Sequence, residues 1–286
     1  MKPEKILYDP MLRSRHYEVW QLDLFKRKWQ EFLEREKRPE IMVSGISYHR
    51  NGIDAQTLTE GTGKEAFNFA NKGQDIFYDY QIAKLLEERN DLDFVTHYVI
   101  GLCYYSFELD LSKTLNGWEI IRYYPYIRDP HNLMENSEFG KFVEKTEQYF
   151  QSIRIYYELF HKRYPYTLNE EDGAETARRD FAKSHPVTVW ENKELFRQFL
   201  ALLEKKKIKP VVVIMPAMKS YVEACPADFK GRFYDALEAC LDGRDIQILD
   251  YFGSYYGEPE DYYHISHFNL DGARKFTGKL VKDIIW

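Results

Sequence analysis

From residue 191 to the end of the chain, helix-type and strand-type patterns alternate, and that alternation narrows the possible folds more than any other feature. ENKELFRQFLALLEKKK carries apolar residues at helical spacing, and PVVVIMP is an unbroken apolar run. PADFKGRFYDALEACL is helical again, DIQILDY is extended, and NLDGARKFTGKLVKDII closes the chain as a helix. A short apolar run without polar alternation fits a strand covered on both faces, as in a parallel sheet between helices. Alternation of such strands with helices predicts a three-layer α/β sandwich with a mostly parallel sheet.

The first third agrees with this pattern. Residues 16–37, HYEVWQLDLFKRKWQEFLEREK, read as an amphipathic helix, and EIMVSGIS as a short strand running into a glycine turn. TLTEGTGK reads as a polar stretch, DIFYDYQIAKLLEERN as a helix and FVTHYVIGLCYYSF as a buried strand. Residues 115–188 fit the alternation less well. MENSEFGKFVEKTEQYFQSIRIYYELFHKRY reads as one long helix and NEEDGAETARRDFAKS as a shorter one, so this segment is expected to be a helical insertion or cap on a single domain spanning 1–286.

At 286 residues the chain can bury a sizeable core. Its net charge of −6, with acids and bases mixed along the sequence, lacks the basic stripe of a nucleic-acid binder. No stretch approaches the ~20 apolar residues of a membrane span. Cys103, Cys225 and Cys240 form neither a disulfide framework nor a metal motif. That pattern, and an N-terminal stretch without the apolar core of a signal peptide, lead us to expect a cytoplasmic protein. No cofactor motif is present, and none is expected.

In open parallel sheets ligands bind beyond the carboxyl ends of the strands. The loops to read are therefore those after VSG, IGLCYYS, IMP and LDY. Ser47 follows the first strand, where its hydroxyl is either an exposed nucleophile or a turn and capping group. His264 and His267 lie in DYYHISHFNLDGARKFT, before the last helix. The loop of His267 falls on the same sheet edge as Ser47, so the two can pair as nucleophile and base. H-x-x-H with Asp261 also suits a zinc site, although one such pair cannot close it. Asn269 is placed to cap the final helix, with Gly272 packing beneath it. The tyrosines at 78, 80, 104 and 105 either wall a sugar-sized cleft or fill the core.

Four blocks, MVSGISYHRNGID, FANKGQDIFYDYQ, IGLCYYSFELDLS and HFNLDGARKFT, resemble the SGNH (GDSL-type) esterase and acyltransferase superfamily. The closer likeness is to its bacterial cell-surface polysaccharide branch, near the D-alanyl transfer proteins of teichoic-acid biosynthesis. The resemblance implies a flavodoxin-like sandwich and a serine esterase or O-acyltransferase, with a small-molecule or glycan acyl substrate. It assigns Ser47 as nucleophile, His267 as general base and Gly73 as an oxyanion-hole donor. The family's third block supplies an asparagine to that hole, but GLCYYSFELD has none, which leaves Tyr105 or Ser106 as substitutes. The family's acid falls three residues before the histidine, and here that position is His264. Asp261, three further back, would substitute only if the loop brought it in. The expectation is therefore a Ser–His pair with an atypical third member, or a binding or scaffold protein that keeps the fold without the hydrolysis.

Overall fold

The computed structural model describes residues 24–114, 117–141, 143 and 172–286. The chain divides into two compact units, one formed by Met1–Arg35 and Leu111–Pro165, the other by Glu36–Asp110 and Tyr166–Trp286.

In the first unit, α1 (Leu24–Leu33) buries Leu24, Phe25, Trp29 and Phe32, the apolar face expected from its periodicity. The Phe25 ring meets Tyr123 and Tyr126 at 5.1 and 5.2 Å. The remainder of the expected 16–37 helix before residue 24 lies outside the described residues, as does most of the long helix read over 134–164.

The second unit is the α/β body. Its strands are β1 (Ile41–Ser44), β2 (Ala66–Asn68), β3 (His97–Leu102), β4 (Lys209–Ile214) and β5 (Gln247–Asp250). They form one sheet in the order β2-β1-β3-β4-β5, every neighbouring pair parallel. The helices are α2 (Ser47–Gly52), α3 (Ala55–Thr62), α4 (Ile76–Glu88), α5 (Asp172–Phe181), α6 (Val189–Lys205), α7 (Lys219–Glu223), α8 (Ala227–Leu241) and α9 (Leu270–Asp283). α6 packs on α4 and α8, whereas α9 packs on α2 and α3, so two separate helical layers cover the sheet. That burial on both faces is why β1 and β3 are buried at every position and mostly apolar instead of alternating.

Two elements differ from the sequence expectation. TLTEGTGK is largely helical: Asp54 caps α3 by accepting the Thr57 N–H at 2.9 Å, and Gly63 ends it with φ of +71°. The segment before α9 is not an open loop but a tight antiparallel hairpin of β6 (Tyr262–His264) and β7 (His267–Phe268). Asn269 caps α9 as expected, accepting the Gly272 N–H at 3.0 Å. Among the described residues, no helix is long and apolar enough to cross a membrane.

In this strand order the chain leaves β1 for β2 on one side and returns to β3 on the other. The carboxyl ends of β1 and β3 therefore flank the switch point where a binding crevice forms.

Candidate active site

Ser47 begins α2 immediately after β1, at that switch point. The turn that delivers it depends on two glycines. Gly45 has φ of +129°, a conformation that side chains disfavour, and a Cβ there would lie 2.7 Å from the His49 ring. On β3, a Cβ at Gly101 would come within 2.2 Å of the same ring. His49 fills the space both glycines leave. It is fully buried, and its Nε2 meets the Val213 carbonyl at 3.1 Å. Burial pulls His49 down to about 4, so it is neutral and donates to that carbonyl.

Below the turn, the Gly45 N–H donates to Asp79 at 3.0 Å, and the Gln74 amide donates to the same oxygen at 2.6 Å. Burial lifts Asp79 to about 7; the Gln74 bond opposes this, and nearby Asp75 adds to it. One buried carboxyl thus joins the Ser47 turn to the loop that carries Gly73, where φ is +59°. The Asn71 N–H in that loop donates to the Gly45 carbonyl at 3.0 Å. The Asn71 side chain is fully buried, and its amide nitrogen has no hydrogen-bond partner.

The Ser47 hydroxyl caps nothing: Ile46 is the N-cap residue, without a side-chain bond. Instead Ser47 Oγ lies 2.9 Å from His267 Nε2, a contact spanning 220 positions of sequence. For Nε2 to accept the serine proton, the imidazole must carry its own hydrogen on Nδ1. The partner at Nδ1 is the Ser266 hydroxyl, at 3.0 Å. His264 stands across the hairpin, its ring 5.4 Å from that of His267, and its Nδ1 is 3.5 Å from Ser266 Oγ.

Neither substitute for the missing acid reaches His267 directly. His264 is separated from it by Ser266. Asp261 is held by Lys275 at 2.6 Å and accepts the Glu258 N–H at 3.1 Å. With Nε2 facing Ser47 and Nδ1 facing Ser266, His267 presents no nitrogen to a metal, and the zinc reading of H-x-x-H does not fit. Burial pulls His267 down to about 3, and the positive charge that His264 can carry adds to the effect. Asp180 opposes it; Lys183 and Arg50 reinforce it. His267 is therefore neutral at physiological pH and would hold an accepted proton weakly.

Asp180 belongs to the helix that the sequence placed in an insertion, and nothing in the sequence marked it. Its Oδ2 accepts from Tyr48 at 2.8 Å and from Tyr221 at 3.3 Å, while Lys183 donates to Oδ1 at 2.6 Å. Burial disfavours the carboxylate, but Lys183 and Tyr48 together hold Asp180 below its usual range. The Tyr48 hydroxyl also meets Tyr105 at 3.1 Å and Tyr221 at 3.0 Å. This cluster fixes Tyr48, whose ring packs 5.0 Å from that of His267.

The two proposed oxyanion substitutes have other partners. Tyr105 spends its hydroxyl on Tyr48, and Ser106 accepts the Cys103 N–H at 2.8 Å, closing its own turn. Tyr78 is fully buried and Tyr80 half-buried, so core packing accounts for these two, whereas Tyr104 and Tyr105, also buried, line the pocket at the sheet edge. Cys103 is buried and pushed up to about 11 by that burial, which makes it an inert thiol. An apolar pocket opens at the exits of β3, β4 and β5, lined by Cys103, Phe181, Met215, Ala217, Tyr221 and Ser266 among others.

No family model and no curated protein matches the chain. Among solved structures, it is similar to a candidate acylhydrolase from Bacteroides fragilis: 12% identity, TM-score 0.43, covering 91% of this chain and 96% of that one. It is also similar to a GDSL-like lipase from Bacteroides thetaiotaomicron, at 12% identity and TM-score 0.41, over 91% and 96% of the two chains. A lipase from a goat rumen metagenome gives 12% identity and TM-score 0.39 over 84% and 94%. At these scores the likeness says nothing about chemistry, which has to come from the side chains.

Proposed function

We propose that the protein is a serine ester hydrolase or O-acyltransferase of the SGNH type, working through an acyl-Ser47 intermediate with His267 as the base. The observation that carries this reading is the 2.9 Å contact between Ser47 Oγ and His267 Nε2 at the switch point of the sheet. A nucleophile within hydrogen-bond reach of a base, with the base oriented by a third group, is the arrangement that covalent acyl transfer requires.

In the proposed reaction Ser47 Oγ attacks the acyl carbon and its proton passes to Nε2. The tetrahedral oxyanion is stabilised by donors at the turn. The first N–H groups of α2 lack acceptors within the helix, and Gly73 is the second donor that the sequence resemblance implies. His267 returns the proton to the leaving oxygen, and water or an acceptor hydroxyl then resolves the acyl-enzyme. The four resemblant blocks favour an acylated bacterial surface glycan or its precursor as substrate.

A second reading, a catalytically impaired protein that binds such a polymer or scaffolds its synthesis, has one observation in its favour: Nδ1 of His267 meets a hydroxyl and not a carboxylate. Turnover separates the two. Purified protein given short-chain p-nitrophenyl esters is expected to release p-nitrophenol in proportion to enzyme concentration. Folded protein that releases none above buffer would sink the hydrolytic reading and leave the binding one.

A further inference from the structure

A base that accepts the serine proton at Nε2 needs an acceptor for the hydrogen on Nδ1, and serine hydrolases of the triad type use a carboxylate there. Among the described residues, no carboxylate is bonded to His267; the Ser266 hydroxyl takes that place, 3.0 Å from Nδ1. Ser266 is 3% exposed and belongs to the two-residue turn joining β6 to β7. The turn is pinned from both sides. The Met218 N–H donates to the Ile265 carbonyl at 3.0 Å, and the Ile265 side chain is fully buried.

The direction of each bond follows from counting hydrogens. With Ser47 as the nucleophile its O–H donates to Nε2, which places the single ring hydrogen of neutral His267 on Nδ1, where it donates to Ser266 Oγ. Ser266 then has one hydrogen left. The acceptor within reach is His264 Nδ1, a long contact at 3.5 Å, on the residue paired directly across the hairpin from His267.

We propose that Ser266 is the positioning residue of this site, with its hydroxyl accepting from His267 Nδ1 and donating to His264, so that the imidazole is held in the tautomer able to take the Ser47 proton. The inference rests on the Ser47–His267 reading. It gives the two histidines different tasks: His267 exchanges the proton, while His264 orients the hydroxyl behind it.

Ser266 fixes the tautomer but brings no negative charge. The charged and titratable groups facing His267 are His264 and Tyr263 from β6, Tyr48 and Arg50 from α2, Asp180 from α5, and Lys183 just beyond it. Of these only Asp180 favours the imidazolium. The site is thereby oriented for proton transfer but poorly supplied with charge to stabilise the result.

The test uses the full chain labelled with 15N and the ring nitrogens of His267, read by NMR at neutral pH in wild type, Ser266→Ala and Ser266→Thr. Wild type is expected to carry hydrogen on Nδ1 with Nε2 bare. Ser266→Ala should show a mixture of tautomers, and Ser266→Thr should restore the wild-type state. In ester hydrolysis, Ser266→Ala should lower kcat about tenfold, the loss of one hydrogen bond, with KM nearly unchanged. Ser266→Asp should move the acid limb of kcat/KM to higher pH, because a carboxylate at Nδ1 favours the charged ring. Hydrogen on Nε2 in wild type, or an unchanged tautomer and kcat in Ser266→Ala, would overturn the proposal. A protein that holds the Nδ1–H tautomer, loses it in Ser266→Ala and hydrolyses no ester would support the role of Ser266 while removing the hydrolytic reading.

Discussion

Ser47→Ala is expected to lower the turnover of a short-chain ester by on the order of 10⁴ or more, down to the rate that binding and oxyanion donors alone can support. The reason is geometric. Among the described residues, the hydrogen-bonding partner of His267 Nε2 is Ser47 Oγ, and no second hydroxyl is placed to take over the attack. Ser266 lies on the other nitrogen of the ring, and the Tyr48 hydroxyl is committed to Asp180. Stability should change far less than activity. Ser47 is half-buried and does not cap its helix, so its removal costs one hydrogen bond, about 1 kcal/mol. Because the two residues act as a unit, adding His267→Ala to Ser47→Ala should cost little further activity. Kinetics of the two single variants and the double, beside their urea midpoints, check this. A Ser47→Ala protein that keeps wild-type turnover would place the chemistry elsewhere.

Gly101→Ala is expected to destabilise the protein by roughly 3–5 kcal/mol, enough to unfold a marginal domain. The added methyl would sit 2.2 Å from the buried His49 ring, and the ring has nowhere to retreat. It is enclosed by Gly45 on the β1 side, and its Nε2 is bonded to the Val213 carbonyl. Displacing the ring both overpacks the core and leaves the buried His49 N–H without its acceptor. Since His49 lies two residues after Ser47, the same strain should reach the nucleophile turn. Gly231→Ala is the control: that glycine is exposed on α8, an added Cβ meets nothing within 4 Å, and helix propensity favours the alanine. If the clash is the cause, His49→Ala should rescue part of the Gly101→Ala loss, a coupling that urea denaturation of the double variant would reveal. Equal midpoints for Gly101→Ala and Gly231→Ala would show that the core is looser than the packing implies.

The parallel sheet and its helices were legible because burial on both faces leaves unbroken apolar runs such as PVVVIMP. β2 was not, since three residues, AFN, are too short to carry a period. The α3 helix was hidden by its Thr and Gly content, which lowers propensity, while Asp54, Gly63 and packing on α9 outweigh that. The meeting of Ser47 with His267 was readable from their places after the first strand and before the last helix. The role of Ser266 was not, because it depends on the tight turn between β6 and β7, and a one-residue change in that turn would aim it elsewhere. Asp180 and Tyr221 could not be foreseen either. They reach Tyr48 from elements 132 and 173 positions away, and no local pattern records such convergence.

The central claim is that Ser47 is a nucleophile activated by His267. It is tested most directly by treating the protein with a fluorophosphonate and mapping the adduct by mass spectrometry of its peptides. One covalent phosphonate on Ser47, lost in His267→Ala, is the predicted result. No adduct on folded protein, or an adduct on another residue with Ser47 unmodified, would contradict it.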